Sequence, residues 1–417
     1  MYGSNRQSKR RFASLAECVG AFLVGLSITF GATAGSLEQA KRIHDRIAGV
    51  PPDTQTLAEM TSIIDGSGGG AAGAEAAADI ALGHPEFYRT TLKNFVTPWT
   101  NREFDVFAPL NDYTATIIGL VRDDGDFREV LTGVVLYVGD GTSGEPAYDP
   151  SSNAHYEYLE SSGADLAAVL QPVPQSSLTG IPGSAAAGVL TSRAASKSFF
   201  IAGTNRAMFR FTLVNHLCRD LEQVADISNS PDRIRQDVTR SPGGDSRLFR
   251  NNCVGCHAGM DPLAQAFAYY NFEYDPDADP TGELGRLVYN GEGSTDPQTQ
   301  TRVQAKYHIN QNNFPFGFVT PDDSWDNYWR SGKNRNLGWS DALPGSGSGA
   351  RSMAEELANS DAFAECQVEK VFETVCLREA TDAADRQQLE LMAASFVTSG
   401  YNLKQPFKES AAYCRGS

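Results

Sequence analysis

Apolar residues recur at three- and four-residue intervals along most of this chain, which is the spacing of an amphipathic helix. The clearest case predicts a helix over 362–378, built on Val368, Val371, Phe372 and Val375. A second predicts a helix over 382–399, built on Leu389, Met392 and Phe396. Further helices are predicted over 36–48, 54–65 and 108–122 and from His84-Pro85 onward, whereas Val134–Val138 is a lone strand-like run. The pattern therefore predicts a mostly α fold with little β structure.

Three stretches rich in Pro, Gly and Ser interrupt this pattern, at 66–74, 171–188 and 341–350. The middle one is the best domain boundary, because such residues favour turns over regular elements. We therefore predict a helical N-terminal domain over 35–183, for which no chemical signature is found, and a second domain over 184–417. The second domain contains a long aromatic loop, 307–339, with Phe314, Phe316, Phe318, Trp325, Trp329 and Trp339.

The first 34 residues have the three parts of an export signal. A basic region with Arg6, Lys9, Arg10 and Arg11 precedes an apolar run over 18–31. Ala32-Thr33-Ala34 then supplies the small residues of a cleavage site, after Ala34. The apolar run is short for a bilayer span, and no later segment reaches about 18 apolar residues. We expect an exported protein, periplasmic or otherwise, with no membrane span in the mature chain; an uncleaved N-terminal anchor is the alternative.

The chain carries a formal net charge of −16, which becomes −19 when the four basic residues and the one acidic residue of the signal are removed. Nucleic acids and anionic membranes attract basic surfaces, so this balance argues against both as partners. An acidic surface can also steer a protein toward a basic partner, although solubility alone would explain it.

Residues 253–257 carry the strongest chemical signal: Cys253-Val254-Gly255-Cys256-His257. This spacing is the attachment motif of a c-type haem, in which both thiols form thioethers and the histidine binds the iron. A thioredoxin-like dithiol would follow a strand, and the stretch before Cys253 is polar. A zinc site usually needs a second Cys or His pair, and none is found. A structural disulfide is the remaining alternative. We therefore predict one covalent haem, with His257 as the proximal iron ligand.

Four further cysteines follow the predicted cleavage site, which is an even number in an oxidising compartment: Cys218, Cys366, Cys376 and Cys414. Cys366 and Cys376 lie about 15 Å apart along one predicted helix, which excludes a bond between them. Three C-terminal helices that fold back on each other would bring Cys414 level with Cys376. We therefore favour disulfides Cys376–Cys414 and Cys218–Cys366.

The residues after the motif predict the start of a helix, because Asp261 is a good N-cap and Pro262 a good first helical residue. Leu263, Phe267 and Tyr270 then share one face at helical spacing. That face would pack against the haem edge or against the core.

The string CVGCHAGMDPLAQAFAYYNFEYD resembles a large family of exported single-haem, cytochrome c-like proteins, common in planctomycetes and also found in proteobacteria. In that family Cys-x-x-Cys-His is followed by Met-Asp-Pro-Leu and an aromatic-rich helix. GVLTSR at 188–193, MFRFTLVNHLC at 208–218 and the two C-terminal helices resemble it as well, so the resemblance covers roughly 184–417. It implies a helical haem module in an exported protein and no defined reaction. The long aromatic loop departs from the family's usual pattern, and we expect it to cover a haem face or to pack in a satellite core.

The second axial ligand decides whether the haem transfers electrons or binds small molecules. Met260 is excluded, because about 10 Å of chain from His257 cannot reach round the porphyrin. Met353, just after the Gly/Ser stretch, is the leading candidate, and His308 is the alternative. Met208 and His216 stay open, as does a five-coordinate iron.

Asp275, Asp277 and Asp279 alternate in DPDADPTGELG. Hard cations such as calcium bind closely spaced carboxylates, but this spacing is not that of an EF-hand. An acidic surface turn is the favoured interpretation.

These observations favour a mono-haem cytochrome that transfers single electrons to or from a partner protein, rather than a catalyst. A haem enzyme or small-ligand-binding haem protein with an open distal site is the alternative. A third, weaker hypothesis is that the N-terminal half binds a substrate or partner that the haem serves. No Ser/His/Asp arrangement suggests hydrolysis, and a single haem motif argues against a di-haem peroxidase.

Overall fold

Helices make up 52% of the structure and strands 7%, which confirms the mostly α fold. The computed structural model describes residues 34–416, so the predicted export signal lies outside the described residues except for Ala34. The α-helices are α1 Ser36–Ile47, α2 Thr54–Gly66, α3 Ala71–Leu82, α4 Lys93–Val96, α5 Asp112–Arg122, α6 Glu129–Thr132, α7 Ala154–Ser161, α8 Leu166–Val169, α9 Gln175–Thr179, α10 Arg193–Phe200, α11 Asn205–Leu217, α12 Ser246–Leu248, α13 Val254–Ala264, α14 Gly349–Ala358, α15 Asp361–Cys376, α16 Ala383–Thr398 and α17 Lys404–Tyr413.

Shorter turns link these helices. In the described part of the chain two of them are π-helical, Phe87–Leu92 and Phe249–Cys253. The 3-10 turns are Thr97–Thr100, Gly188–Thr191, Pro242–Gly244, Gln265–Phe267, Ala305–His308, Tyr328–Arg330 and Gly332–Leu337.

Within residues 34–416 the strands form three separate two-stranded antiparallel pairs. The pairs are β1 Val135–Gly139 with β2 Leu170–Pro174, β3 Tyr270–Glu273 with β4 Arg286–Tyr289, and β5 Ser324–Asp326 with β6 Ser346–Ser348. The lone strand-like run predicted at 134–138 is therefore the first strand of a pair, and its partner overlaps the start of the stretch predicted as a boundary.

The two ends of the described chain pack together. Helices α1, α2 and α3 contact one another, and α17 lies against α3. Phe407 of α17 contacts Phe87 and Phe95 edge-on, at ring-centroid distances of 5.1 and 5.8 Å. The C-terminus thus completes the N-terminal helical layer.

One hydrophobic core runs through both halves of the chain. It includes Tyr113 and Leu166 from the N-terminal half and Phe209 and Leu263 from the C-terminal half. Ile181, in the stretch predicted as a boundary, is also buried in it. The described residues 34–416 form a single compact unit. The division at 183/184 stays a prediction about the organisation of the sequence.

Among the described residues two disulfides connect the C-terminal helices, and they are the two pairs expected from the cysteine positions. Cys218, at the end of α11, is bonded to Cys366 of α15, with a Cα–Cα distance of 5.2 Å. Cys376, at the end of α15, is bonded to Cys414 after α17, with a Cα–Cα distance of 5.5 Å. Such bonds persist in oxidising compartments, so they fit an exported protein.

None of the helices within residues 34–416 combines the length and the apolar character needed to cross a membrane.

Candidate functional site

The Cys-x-x-Cys-His motif lies where a π-helical turn passes into helix α13. Cys253 ends the turn, and Cys256 and His257 lie in the first turn of the helix. Residues three and four positions apart share one face of a helix, so the two thiols and the imidazole lie on the same side of α13. Cys253 and Cys256 belong to neither disulfide, and both are half-buried. The motif therefore presents two free thiols and one imidazole together.

The Cys256 thiol is half-buried beside a backbone carbonyl group. Its Sγ lies 3.4 Å from the Leu221 carbonyl oxygen, which accepts a weak hydrogen bond from it. Burial, with a smaller contribution from the nearby Glu222 carboxylate, raises its pKa above the ordinary thiol value. The motif follows a π-helical turn and not a strand, and this setting argues against the thioredoxin-like alternative.

The His257 imidazole is held by Asp261, one helical turn further along α13. The Nδ1 atom lies 3.0 Å from Asp261 Oδ1. The imidazole is 20% exposed and the carboxylate only 1%. Arg206 lowers the pKa of Asp261 against the opposing effect of burial, so the carboxylate is ionised and can only accept. The His257 Nδ1 therefore donates to this carboxylate, and the neutral ring would have the lone pair of Nε2 available for a ligand. Within residues 34–416, no protein group hydrogen-bonds to that Nε2.

Asp261 belongs to a buried network of alternating charges. Arg206 of α11 donates to it through Nε at 2.7 Å and Nη2 at 2.8 Å. Arg206 also donates to Asp237, at 2.7 and 2.9 Å. Arg235 donates to Asp237 at 2.8 Å and to the Asn205 side chain at 2.7 Å. Buried charges are tolerated when they are paired in this way, so the network fixes the Asp261 carboxylate in place.

The role predicted for Asp261 as an N-cap is wrong. Helix α13 already begins at Val254, and Pro262 lies inside it rather than at its first position. Proline has no N–H to continue the helical hydrogen bonding, and α13 ends two residues later. The chain then passes through a 3-10 turn into β3, so Tyr270 lies in a strand and not on a helix face with Leu263. Because the helix starts at the motif, Asp261 faces His257 instead of a helix end.

Apolar side chains surround the motif. Ile234, Phe249 and Ala258 form a small cluster separate from the main core, and Cys253 and Val254 pack against it. Ile227 is 77% exposed and lies beside Gly255, and Leu248 is also exposed. A haem needs two free thiols, an imidazole with one free nitrogen, and apolar surface for its ring. The residues around the motif supply all three, so they fit a covalently attached haem.

The structure places the two distal candidates in different settings. Met353 of α14 is fully buried in the main core, and α14 packs against α6 and the 265–267 turn. The Nε2 atom of His308 lies 3.0 Å from the carbonyl oxygen of Thr320, to which it donates. Met260, excluded as a ligand, is buried in the main core as a packing residue. The second axial ligand stays a prediction.

The aromatic loop divides between the core and the surface. Trp325 and Trp329 are buried in the main core, and Trp339 packs against it. A Cβ atom at Gly259 of α13 would overlap the Trp329 indole, so the glycine allows this ring to lie directly on the motif helix. Phe316, by contrast, is 90% exposed. Core packing therefore explains the tryptophans of the loop, whereas its tip lies open.

Two of the three alternating aspartates accept hydrogen bonds from backbone N–H groups of their own turn. Asp275 accepts from Asp277 and Ala278, and Asp279 accepts from Glu283 and Leu284. This is how acidic residues stabilise surface turns. Among residues 34–416 no group of three or more His, Cys, Asp or Glu side chains has the arrangement of a metal-ion site.

Sequence reasoning missed the charged residues that support His257. Arg206 and Asp237 lie far from the motif along the chain, and nothing in their local pattern points to it. One signal was present: His257 and Asp261 are four residues apart, which places them on one helix face if the helix starts before the histidine.

The chain matches no family model, no curated protein and no solved structure. The resemblance of residues 184–417 to exported single-haem proteins therefore stays a prediction.

Proposed function

We propose that this chain is an exported mono-haem c-type cytochrome that takes part in one-electron transfer. The haem would be bound covalently at Cys253 and Cys256, with His257 as the proximal ligand. The observation that carries the proposal is the shared helix face of these three residues, with both thiols free and the His257 ring held through Nδ1 by Asp261.

The bound haem would supply a one-electron redox couple. The two thiols would attach the ring, and Asp261 would orient the imidazole through Nδ1 so that Nε2 could bind the iron. Ile227 and Leu248 provide exposed apolar surface beside the motif. An accessible haem edge is what electron exchange with a partner protein requires.

The disulfides favour an exported location, and the periplasm is part of this proposal. The partner would be a redox protein. The acidic charge of the chain favours a partner with a basic docking face, because opposite charges accelerate encounter.

A second function, a small-ligand-binding haem protein or haem enzyme with an open distal site, is favoured by the setting of the two distal candidates. Met353 is enclosed in the main core, and His308 uses Nε2 to donate to Thr320. If neither reaches the iron, the distal position is free for an exogenous ligand.

The first test is covalent haem content. The full chain is produced in bacteria that carry a cytochrome c maturation system, and haem is measured by mass spectrometry and by haem staining after denaturation. We expect one covalently attached haem per wild-type chain. We expect no covalently attached haem in the Cys253→Ala/Cys256→Ala variant. The matched control Cys376→Ala/Cys414→Ala removes two cysteines away from the motif and should keep its haem. Wild-type protein without covalent haem would refute the proposal.

The ferric absorbance spectrum separates the two functions. A long-wavelength methionine-to-iron band that is lost in Met353→Leu would support a six-coordinate electron carrier. A high-spin spectrum that shifts on adding cyanide, or a ferrous spectrum that shifts with carbon monoxide, would favour the open distal site.

A further inference from the structure

Asp261 is the only acidic side chain in hydrogen-bond contact with the motif histidine among the described residues. It lies four residues after His257 on the same helix, with Oδ1 at 3.0 Å from Nδ1. Its side chain is 1% exposed, so water does not compete for the carboxylate. A hydrogen bond between buried groups acts strongly, because the local dielectric constant is low.

Arg206 keeps this carboxylate charged and fixed in orientation. It forms two parallel bonds, from Nε to Oδ1 at 2.7 Å and from Nη2 to Oδ2 at 2.8 Å. Bidentate pairs of this kind are stronger and more directional than single hydrogen bonds. Oδ1 therefore accepts from both Arg206 and His257, and the two donors share its negative charge.

Asp237 fixes Arg206 in turn. It accepts from Arg206 at 2.7 and 2.9 Å and from Arg235 at 2.8 and 3.2 Å. The network thus runs from the partly exposed imidazole through Asp261, Arg206 and Asp237 to Arg235. Two carboxylates and two guanidinium groups balance their charges within it.

We propose that Asp261 is a positioning residue that orients His257 and holds the reduction potential of the bound haem low. This inference rests on the proposed function. A carboxylate that accepts the Nδ1 proton gives the imidazole partial negative charge, which makes Nε2 a stronger electron donor to a bound metal. A stronger donor favours the oxidised metal and lowers its potential. Because Arg206 shares the same oxygen, it limits this effect.

The test compares the reduction potentials of wild type, Asp261→Asn and Asp237→Asn as full-length haem-loaded proteins. Asp261→Asn keeps the shape and an oxygen acceptor for Nδ1 but removes the charge. We expect at least a tenfold shift of the ferric/ferrous equilibrium toward the ferrous form, which corresponds to about 59 mV for a one-electron couple. Asp237→Asn removes one acidic group from the same network without touching the imidazole, and we expect a shift below threefold.

Asp261→Glu is the second variant, because Asp261→Asn leaves Arg206 with one carboxylate and can fail to fold. It retains the negative charge, and we expect the ferric/ferrous equilibrium constant of this variant to stay within threefold of the wild-type value. Equal shifts in Asp261→Asn and Asp237→Asn would overturn the proposal in favour of a general charge effect. An unchanged potential in Asp261→Asn, or a tenfold shift in Asp261→Glu, would overturn it as well.

The proposed function and this inference fail in different ways. If wild type binds no covalent haem, the proposed function is wrong. If wild type binds haem and its potential is insensitive to Asp261, the haem assignment stands and the positioning role is wrong.

Discussion

His257 and His216 are each hydrogen-bonded to the side-chain oxygen of one other residue, yet their surroundings differ completely. His257 Nδ1 lies 3.0 Å from the Asp261 carboxylate, and its ring is 20% exposed. His216 Nε2 lies 2.9 Å from the Tyr113 hydroxyl, and its ring is fully buried. Trp99 packs edge-on against the His216 ring at a centroid distance of 5.7 Å.

The difference separates a histidine that can bind a ligand from one that supports the core. Burial, together with the nearby Lys370 ammonium, lowers the pKa of His216 far below its ordinary value, so this ring stays neutral. Its Nδ1 is buried without a hydrogen-bond partner. His257 instead has a charged partner on one nitrogen and leaves the other accessible. His216 stayed open as an axial ligand from the sequence, and its burial now favours a structural role.

The largest expected effect on the free energy of unfolding comes from breaking the buried charge network that holds the His257 imidazole. Arg206→Leu leaves the Asp261 and Asp237 carboxylates without their shared partner, and we expect the free energy of unfolding to fall by about 3–5 kcal/mol. Arg210→Leu is the matched control on the same helix, since Arg210 pairs with Asp220 at an exposed site. That control should lose less than about 1 kcal/mol. Urea unfolding of both variants measures the difference, and equal losses would show that burial of the network contributes nothing.

The next effect compares the replacement of each histidine by alanine. Both replacements are made in the Cys253→Ala/Cys256→Ala background, which removes any contribution of bound haem to stability. His216→Ala opens a cavity in the core, and we expect a loss of about 3 kcal/mol. His257→Ala removes a partly exposed ring whose partner Asp261 keeps its bonds to Arg206, so the loss should stay near 1 kcal/mol. Thermal and urea unfolding test this, and a larger loss for His257→Ala would reverse the comparison.

The third effect is a dependence of stability on pH that comes from His216. Its pKa is lowered in the folded state, so below pH 6.5 the unfolded chain binds a proton that the folded protein does not. Stability therefore falls as pH falls, by about 2 kcal/mol between pH 7 and pH 5. We expect His216→Gln to lose this part of the pH dependence. The buried His44 has a lowered pKa of the same origin and adds to the total, so the informative quantity is the difference between wild type and variant. Parallel pH profiles would contradict the assignment.

The smallest effect concerns the single hydrogen bond to His216. Tyr113→Phe removes the hydroxyl group and leaves His216 Nε2 without its partner, and we expect a loss of about 1 kcal/mol. Tyr158→Phe, at a residue that is 39% exposed, is the control and should change stability by less than about 0.5 kcal/mol. Chemical denaturation of both variants gives the comparison. If Tyr113→Phe is as stable as the control, then the bond to His216 adds nothing measurable.

Local patterns in the sequence were enough for the helical class, for most long helices and for the motif itself. The helices predicted over 36–48, 54–65, 362–378 and 382–399 are present within two residues at each end. Helix α3 was missed, because it begins inside a Gly-rich stretch whose composition is typical of a linker. There, Ala74, Ala77 and Ala81 are buried against neighbouring helices, and that packing outweighs the local preference of glycine for turns.

The sequence by itself determined which groups are available at residues 253–257, because two thiols and an imidazole at fixed short spacing are a matter of residue types alone. It also indicated the disulfide pairs, since helix geometry limits which cysteines can meet. Only the tertiary structure decided which charged residues support the His257 ring and which side chains enclose the His216 ring. Arg206, Asp237 and Asp261 come from three separate segments, and Tyr113 reaches His216 from the other half of the chain. Burial and charge pairing depend on how distant segments pack, and no local pattern records that packing.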